Sequence, residues 1–305
     1  MRKIKLGNSG LQGSDISLGC MRMAGHSVET VSHLVNTALE CGIDFFDHAD
    51  IYGGGESERV FAKAIKALGV ARESIVLQSK CGIRQGYYDF SKGHILQSVD
   101  EILERLDTEY LDALLLHRPD TLMEPEEVAE AFERLHASGK VRYFGVSNHN
   151  PMQIELLSQY VGQKLIINQL QFSLAHTPMI DAGVNANMQT DGAVNREGSV
   201  LEYSRLKEMT IQAWSPFQSG FFGGVFLDDP RYQELNQVID RIASEKGVSN
   251  MAIAIAWILR HPATIQTVVG TTNAERLKLM AQATPDMLTR QEWYELYRAA
   301  GNRLP

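Results

Sequence analysis

Short apolar segments alternate with longer amphipathic segments along most of this 305-residue chain. The apolar segments are predicted strands, and eight of them begin near positions 16, 45, 75, 110, 141, 164, 210 and 265. Segments such as 93–106 carry apolar residues at helical spacing, with Ile95, Val99 and Ile102 on one face. Strands that alternate with helices form parallel sheets with helical crossovers. Eight such units predict an α/β fold, the closed (β/α)8 TIM barrel.

Two further elements are predicted outside these eight units. Residues 3–14 hold glycines between alternating apolar residues, which predicts an N-terminal β-hairpin. Residues 290–301 predict an extra C-terminal helix packed outside the barrel. An open doubly wound sheet is the alternative, but it is favoured by a Gly-x-Gly-x-x-Gly turn after the first strand, and no such turn stands there. Because no linker divides the chain, we expect one domain over residues 1–305.

Two of the connections between these elements are unusually long. Residues 174–198 are rich in Asn, Gly and Asp, and residues 218–229 are rich in Gly and Phe. Both follow predicted strands, so a barrel would place them on its C-terminal face, where barrel active sites lie. Loops of this length often act as lids or binding loops, and a disordered excursion is the alternative for 174–198.

The predicted helices cover residues 28–40, 57–68, 93–106, 125–140, 151–161, 200–209, 251–261 and 273–283.

The composition is that of a soluble globular protein, with 44% hydrophobic and 22% charged residues. A formal net charge of −8 argues against a nucleic-acid partner, because phosphate binding requires a basic face. No apolar run approaches the roughly 20 residues of a membrane span, so no membrane partner is expected. Cys20, Cys41 and Cys81 cannot all pair with one another, and they predict reduced thiols in a cytoplasmic protein.

Ionisable side chains stand at or just beyond the ends of three consecutive predicted strands. The stretch FFDHADIYGGGESE, residues 45–58, places Asp47 near a strand end and Tyr52 five residues later. Lys80 ends the segment SIVLQSK, and His117 ends the segment YLDALLLH. Because the carboxyl ends of barrel strands meet at one mouth, we expect these four groups to lie together.

This set of groups suits a general acid. A tyrosine has an ordinary pKa near 10, and a nearby ammonium such as that of Lys80 is expected to lower it. A carboxylate from Asp47 would keep the lysine charged and in place, and a neutral His117 could orient a carbonyl oxygen. Tyr52 could then protonate a carbonyl oxygen as hydride arrives at the carbon.

These residues resemble the signature of the aldo-keto reductase family. That signature is an Asp, a Tyr five residues later, a Lys at the end of the third strand and a His at the end of the fourth. Asp47, Tyr52, Lys80 and His117 match it in order, and the segments YFGVSNHN and NQLQFS resemble the nicotinamide-binding strands. The resemblance covers nearly the whole chain. It implies a barrel enzyme that reduces aldehyde or ketone substrates with NADPH, with these four residues as the catalytic set.

The resemblance also implies positions that bind the cofactor. Ser147, Asn148 and Gln169 would hydrogen-bond the nicotinamide carboxamide, and Trp214 would stack on the ring, where many relatives have Tyr. Barrel-wall packing is the alternative role for Trp214. Phe217, Ser219 and Gly220 would cover the pyrophosphate, and Ser215 is a further cofactor-binding position. Met21 and Arg22 are unusual at the end of the first strand, near where the nicotinamide and pyrophosphate would lie, and a surface ion pair is an equal alternative for Arg22.

The segment VVGTTNAERL would hold the adenosine 2′-phosphate through Thr271, Thr272 and Arg276. The match is incomplete, because well-studied members often have Lys where Gly270 stands, and Asn or Glu where positions 279–280 hold Leu and Met. Arg276 can still pair with a phosphate, and the start of the last barrel helix would favour an anion. NADPH is therefore the expected cofactor, and NADH stays possible.

Two other functions are compatible with the same residues. Lys80 could form a Schiff base in an aldolase-like lyase, although that reading gives Trp214 and Arg276 no role. The chain could also be a reductase-like module that senses the cofactor for a partner. A metal site is not expected, because His117, His136 and other histidines show no ligand spacing. The sequence leaves the substrate, the oligomeric state and the physiological direction open.

Overall fold

A closed barrel of eight parallel strands forms the centre of the computed structural model, which describes residues 1–221 and 223–304. Around the barrel the strand order is β3, β4, β5, β8, β9, β10, β11 and β12, with β12 pairing back to β3, and this confirms the predicted (β/α)8 fold. In chain order the strands are β1 (Lys3–Lys5), β2 (Gln12–Ser14), β3 (Ile16–Gly19), β4 (Phe45–Asp47), β5 (Val76–Cys81), β6 (Ile83–Arg84), β7 (Tyr87–Tyr88), β8 (Leu111–Leu116), β9 (Val141–Ser147), β10 (Leu165–Gln171), β11 (Thr210–Trp214) and β12 (Ile265–Val269).

Helices surround the barrel and bury one apolar face each against its strands. Several begin at a side-chain cap, as in α1, where Ser27 accepts a hydrogen bond from the backbone of Thr30. In chain order the helices are α1 (Val28–Glu40), α2 (Glu56–Leu68), α3 (Lys92–Leu106), α4 (Pro125–Ala137), α5 (Pro151–Ser158), α6 (Pro178–Val184), α7 (Val200–Leu206), α8 (Gln233–Lys246), α9 (Asn250–Leu259), α10 (Ala274–Met280) and α11 (Arg290–Ala299).

The structure adds two helices to those expected from the sequence. Helix α8 was not predicted, although Leu235, Ile239 and Ile242 are buried at helical spacing and carry its signal. Helix α6 lies inside the long connection 174–198, and Tyr297 of α11 donates a 2.7 Å hydrogen bond to Asp181 within it. The first half of that connection is therefore packed against the C-terminal helix and is not a disordered excursion.

The extra C-terminal helix docks through a pair of tryptophans. The rings of Trp257 in α9 and Trp293 in α11 stack with centroids 4.8 Å apart and planes 8° apart. Each indole N–H also donates to the backbone carbonyl of the other tryptophan, at 3.1 and 2.9 Å. Both polar atoms are thus satisfied in a buried contact, which fixes α11 on the outside of the barrel.

Among the described residues, no helix has both the length and the apolar composition needed to cross a membrane.

The N-terminal hairpin, which the sequence predicted, closes the bottom of the barrel. Its apolar residues Leu6 and Leu11 pack against Phe45 and Ile167 in the lower interior. The turn at Gly7 has a φ of +55°, and its N–H donates to Thr210 at 2.7 Å. A Cβ added at Gly7 would lie 2.4 Å from the carbonyl oxygen of Ile166. Only glycine fits this close approach without displacing the backbone.

We therefore expect Gly7→Ala to destabilise the fold by more than the roughly 1 kcal/mol that a left-handed alanine costs by itself. Gly69→Ala is the matched control, because Gly69 has a φ of +64° at the end of α2 and an added Cβ would meet nothing within 4 Å. Chemical denaturation measures both free energies of unfolding. If both variants lose the same free energy of unfolding, the contact with Ile166 does not contribute to the cost of Gly7→Ala.

Candidate active site

The four ionisable groups predicted at strand ends lie together at the C-terminal mouth of the barrel. Asp47 ends β4, Lys80 lies near the end of β5, and His117 directly follows β8. Tyr52 returns over them because the chain turns sharply after β4, where the N–H of Tyr52 bonds to the carbonyl of Ala49 at 3.0 Å. The three glycines that follow all have positive φ angles, which other residues rarely adopt.

Lys80 is completely buried, and its ammonium group connects the other residues of the site. Its Nζ lies 2.8 Å from the carboxylate of Asp47, 2.8 Å from the carbonyl oxygen of His48 and 3.3 Å from the hydroxyl of Tyr52. These acceptors use all three of its donor protons. Burial by itself lowers the pKa of Lys80, but the Asp47 carboxylate and the Tyr52 hydroxyl outweigh it, and the net pKa is raised. The lysine therefore remains charged.

This environment does not suit a Schiff-base lysine. Such a lysine attacks a carbonyl as a neutral amine and must reach its substrate. The amine of Lys80 is fully buried and its pKa is raised. The geometry therefore disfavours the lyase alternative.

The phenol of Tyr52 is held in its protonated form. Tyr52 is half-buried, and desolvation by the surrounding protein raises the pKa of its phenol. The charge of Lys80 lowers that pKa, as the sequence suggested, but by less than burial raises it. The expected net lowering is therefore wrong for this state of the protein. At neutral pH the group carries the proton that a general acid must donate.

His117 stands beside the phenol as a neutral imidazole. Its ring lies edge-to-face with that of Tyr52, with centroids 6.0 Å apart. Burial, with the nearby charges of Lys80 and Arg118, holds the pKa of His117 well below its ordinary value. Its Nδ1 atom is buried and has no hydrogen-bond partner among the described residues. A neutral ring of this kind can hydrogen-bond a polar substrate atom without competing for the proton.

The residues predicted to contact a carboxamide lie next to these four groups, but they bond to one another. Ser147 donates to the backbone carbonyl of Gln169 at 3.0 Å, and the Asn148 amide donates to Ser147 at 2.8 Å. Trp214 donates its indole N–H to Asn148 at 3.1 Å. The Gln169 amide points inward and donates to Asp47 at 3.1 Å. Asn148 has a φ of +59°, a conformation uncommon outside glycine, at the centre of this group.

The long loop after β11 borders the same mouth. Trp214 is half-buried and faces Phe221 edge-to-face, with centroids 6.4 Å apart. The guanidinium of Arg118 lies 5.9 Å from the centre of the Trp214 ring and 5.4 Å from that of Phe221. The other predicted contacts in this loop, Ser215, Phe217, Ser219 and Gly220, are each partly exposed along its rim.

The ends of β12 and β3 meet next to β11 at the same mouth. Arg22 donates to the carbonyl oxygen of Gly270 at 3.4 Å, so it joins the two strand ends and forms no ion pair among the described residues. Arg276 is exposed in the first turn of α10, where its backbone N–H is bonded to the capping Asn273. The other predicted positions here, Met21, Thr271 and Thr272, are exposed or partly exposed.

Several polar residues at the site were not predicted, because they lie within strands and not at strand ends. Gln78, Gln212 and Gln266 are buried within strands and form hydrogen bonds inside the barrel. Their signal was a glutamine in the middle of an otherwise apolar strand, as in VLQSK. Gln171 was also missed, and its amide nitrogen is buried without a partner among the described residues. Within those same residues, no group of three His, Cys, Asp or Glu side chains could hold a metal ion.

Comparisons with known proteins agree on one family. A model described as "Aldo/keto reductase family" matches residues 15–300. The chain is 36% identical over 313 residues to a 6-dehydroglucose reductase of Agrobacterium fabrum, and the match covers 98% of both proteins. It is 33% identical to the oxidoreductase YdhF of Escherichia coli, again over 98% of both. A solved structure of a thermostable aldo-keto reductase bound to the inhibitor epalrestat superposes with a TM-score of 0.79. The match covers 98% of this chain and all of that one at 24% identity, and it supports the fold.

A second acidic group lies behind the site, in the turn between Asp47 and Tyr52. Asp50 is partly buried, and its Oδ1 atom is buried without a hydrogen-bond partner among the described residues. Desolvation, together with the nearby carboxylate of Glu58, raises the pKa of Asp50 to about 7, against a weaker opposing effect of Arg105. The folded protein therefore holds a proton here between about pH 4 and pH 7 that the unfolded chain has released.

From this difference we expect the stability of the wild type to fall as pH rises through that range. Ionising Asp50 costs free energy only in the folded state, so Asp50→Asn removes the loss. Going from about pH 5 to pH 8, the variant should gain roughly 1–2 kcal/mol relative to the wild type, a figure reduced for partial solvent access. Denaturant unfolding at several pH values measures this, with the exposed Asp240→Asn in α8 as control. Parallel pH profiles for wild type and Asp50→Asn would refute it.

Proposed function

The chain belongs to the aldo-keto reductase family, and we propose that it reduces an aldehyde or ketone by hydride transfer from NADPH, with Tyr52 as the general acid. One observation carries this proposal. The buried ammonium of Lys80 bonds at the same time to the carboxylate of Asp47 and to the hydroxyl of Tyr52. That arrangement stabilises negative charge on the phenol oxygen while the proton leaves, which is the step a carbonyl reduction requires.

A nicotinamide cofactor fits the groups at the mouth. Gln171 pairs in register with Trp214, and alternation along β10 puts its side chain on the same inner face as that of Gln169. The orphaned amide nitrogen of Gln171 can donate to a ring carboxamide, and Trp214 offers a flat face for the ring. When bound, the cofactor supplies the hydride. Ser147, Asn148 and Gln169 are proposed to hold the same carboxamide after exchanging some of their present hydrogen bonds.

Within this site, each residue has a distinct task. Tyr52 donates its proton to the carbonyl oxygen of the substrate, and Lys80 stabilises the phenolate that remains. Asp47 keeps Lys80 charged and in place. His117 is neutral and has little affinity for a proton, and its ring N–H donates a hydrogen bond that turns the carbonyl oxygen toward Tyr52. Arg276 is proposed to pair with the 2′-phosphate that distinguishes NADPH from NADH.

The extent and setting of the enzyme are also proposals. A single domain over residues 1–305 is supported by barrel closure, because β12 near the C-terminus pairs with β3 near the N-terminus. A cytoplasmic setting is supported by three cysteines that are all unpaired, namely Cys20, Cys41 and Cys81. The name of the Agrobacterium relative makes 6-dehydroglucose the first carbonyl compound to test as a substrate.

Tyr52→Phe tests the general acid directly. The variant keeps the ring and its packing but removes the transferable proton, so kcat should fall roughly 10²–10⁴-fold. The affinity for NADPH should stay near that of the wild type. Turnover is followed by cofactor absorbance with 6-dehydroglucose and a panel of simple aldehydes and ketones. Cofactor binding is followed by quenching of Trp214 fluorescence.

Tyr110→Phe is the control, because Tyr110 lies between the guanidinium groups of Arg72 and Arg142, before the start of β8 and away from the mouth. Its turnover should match the wild type. A Tyr52→Phe protein that reduces carbonyls as fast as the wild type would exclude Tyr52 as the acid. Cofactor binding without any carbonyl turnover by the wild type would instead favour the cofactor-sensing module.

Arg276→Ala tests the choice of cofactor. Loss of a charge-assisted hydrogen bond to phosphate should weaken NADPH binding roughly tenfold to a hundredfold, while NADH binding changes little. Lys278→Ala is the matched control, because Lys278 lies in the same helix but pairs with Glu275. Fluorescence titrations of both cofactors against the wild type and the two variants give six dissociation constants. Equal weakening of NADPH and NADH in Arg276→Ala would show that Arg276 does not read the 2′-phosphate.

A further inference from the structure

Glutamines and a carboxylate occupy one level of the barrel interior, where branched apolar side chains are usual. The strand registers place these residues side by side, with Asp47 opposite Gln78, Gln169 opposite Gln212, and Gln212 opposite Gln266. Each of the five side chains is buried, and Gln78, Gln212 and Gln266 are completely inaccessible. Burying so many amides is costly unless their hydrogen bonds are satisfied.

The amides form a continuous hydrogen-bonded chain, named here the glutamine network, of Gln78, Gln212 and Gln266. Gln266 donates to the backbone carbonyl of Ser14 at 2.6 Å, and Gln212 donates to Gln266 at 2.8 Å. Gln78 and Gln212 form a reciprocal amide pair, with hydrogen bonds of 2.8 and 3.1 Å. The second proton of the Gln78 amide goes to the Oδ1 atom of Asp47 at 2.6 Å.

The two ends of the network determine the orientation of every amide in it. The Ser14 carbonyl and the Asp47 carboxylate can only accept hydrogen bonds. Turning the amide of Gln78 by half a rotation would therefore place two acceptors against each other at Asp47. The network has one stable orientation, and it presents a donor to the candidate site.

The network ends on a charged group, the carboxylate of Asp47. A network that served only to fix strand register could be satisfied by neutral partners. Here its Gln78 end reaches the Oδ1 atom of Asp47, and the ammonium of Lys80 lies 2.8 Å from both oxygens of the same carboxylate. Gln169 adds a second amide donor to Asp47, at 3.1 Å. Two amide donors and one ammonium therefore fix the orientation of this buried carboxylate.

We propose that Gln78 is a positioning residue that holds the carboxylate of Asp47 correctly turned, so that it stays paired with the ammonium of Lys80 beside Tyr52. This inference rests on the proposed function of Tyr52 as the general acid. Gln212 and Gln266 act one and two hydrogen bonds further away, by fixing the amide of Gln78. Through Ser14, the network connects the hairpin at the bottom of the barrel to the chemistry at its mouth.

Gln78→Met tests the inference, because methionine has a similar length but offers no donor to Asp47. We expect kcat to fall roughly tenfold to a hundredfold, the effect of losing one hydrogen bond to a charged group. KM and the dissociation constant of NADPH should stay near the wild-type values. Gln266→Met makes the same change at the same level without touching Asp47, so it should lower stability comparably and kcat much less.

Gln78→Glu separates positioning from packing through its pH profile. A protonated glutamic acid can still donate to Asp47, whereas an ionised one repels it. Relative to the wild type, turnover should therefore be best at low pH and should fall by about tenfold per pH unit once the new carboxyl ionises. If the amide of Gln78 only filled space, the ratio of the turnover of Gln78→Glu to that of the wild type would not depend on pH.

The results for the wild type and these variants separate the role of Gln78 from the proposed function. Suppose that the wild type reduces carbonyls and that its turnover depends on Tyr52. If the kcat of Gln78→Met then equals that of the wild type, or falls no more than that of Gln266→Met, this inference is overturned and the proposed function stands. A flat pH ratio for Gln78→Glu would do the same. A wild type without any carbonyl turnover would overturn the proposed function, and the role of Gln78 in catalysis with it. Selective loss of kcat in Gln78→Met together with the falling ratio in Gln78→Glu would support the proposal.

Discussion

The buried ion pair between Lys80 and Asp47 is the interaction on which the rest of the site depends. Two charges inside a barrel are tolerated only when their remaining hydrogen-bonding capacity is satisfied. The ammonium of Lys80 donates hydrogen bonds to Asp47, to the carbonyl oxygen of His48 and to Tyr52. The carboxylate of Asp47 also accepts hydrogen bonds from the side-chain amides of Gln78 and Gln169. The proposed acid, the turn that carries it and the amides below it are all arranged around this pair.

The barrel brings these groups together because its parallel strands all end at one mouth. Residues that follow different strands, such as Asp47, Lys80 and His117, meet there although the chain separates them by up to 70 positions. The glycine turn after β4 then folds Tyr52 back over the pair. At the other end of the barrel the hairpin seals the interior, so that polar groups in the middle level face one another and not water.

Much of this arrangement was predictable from local patterns in the sequence. The alternation of strands and helices gave the barrel, and the polar endings of apolar strands pointed to Asp47, Lys80 and His117. Helix α8 was not predicted, although its buried residues Leu235, Ile239 and Ile242 stand at helical spacing. The internal partners of Asn148 and Gln169 and the raised pKa of Tyr52 were not predictable, because they depend on burial and on neighbours from distant strands.

The sequence by itself therefore determined which chemical groups stand at the strand ends and which fold collects them, since hydrophobic periodicity and strand order are local properties. Only the tertiary structure decided how those groups balance one another. The hydrogen bond between Gln78 and Gln212 joins residues 134 positions apart, and no local pattern specifies it. Whether burial or a neighbouring charge prevails at Tyr52 likewise depends on how closely the folded chain surrounds the phenol, because desolvation grows with the protein atoms around a group.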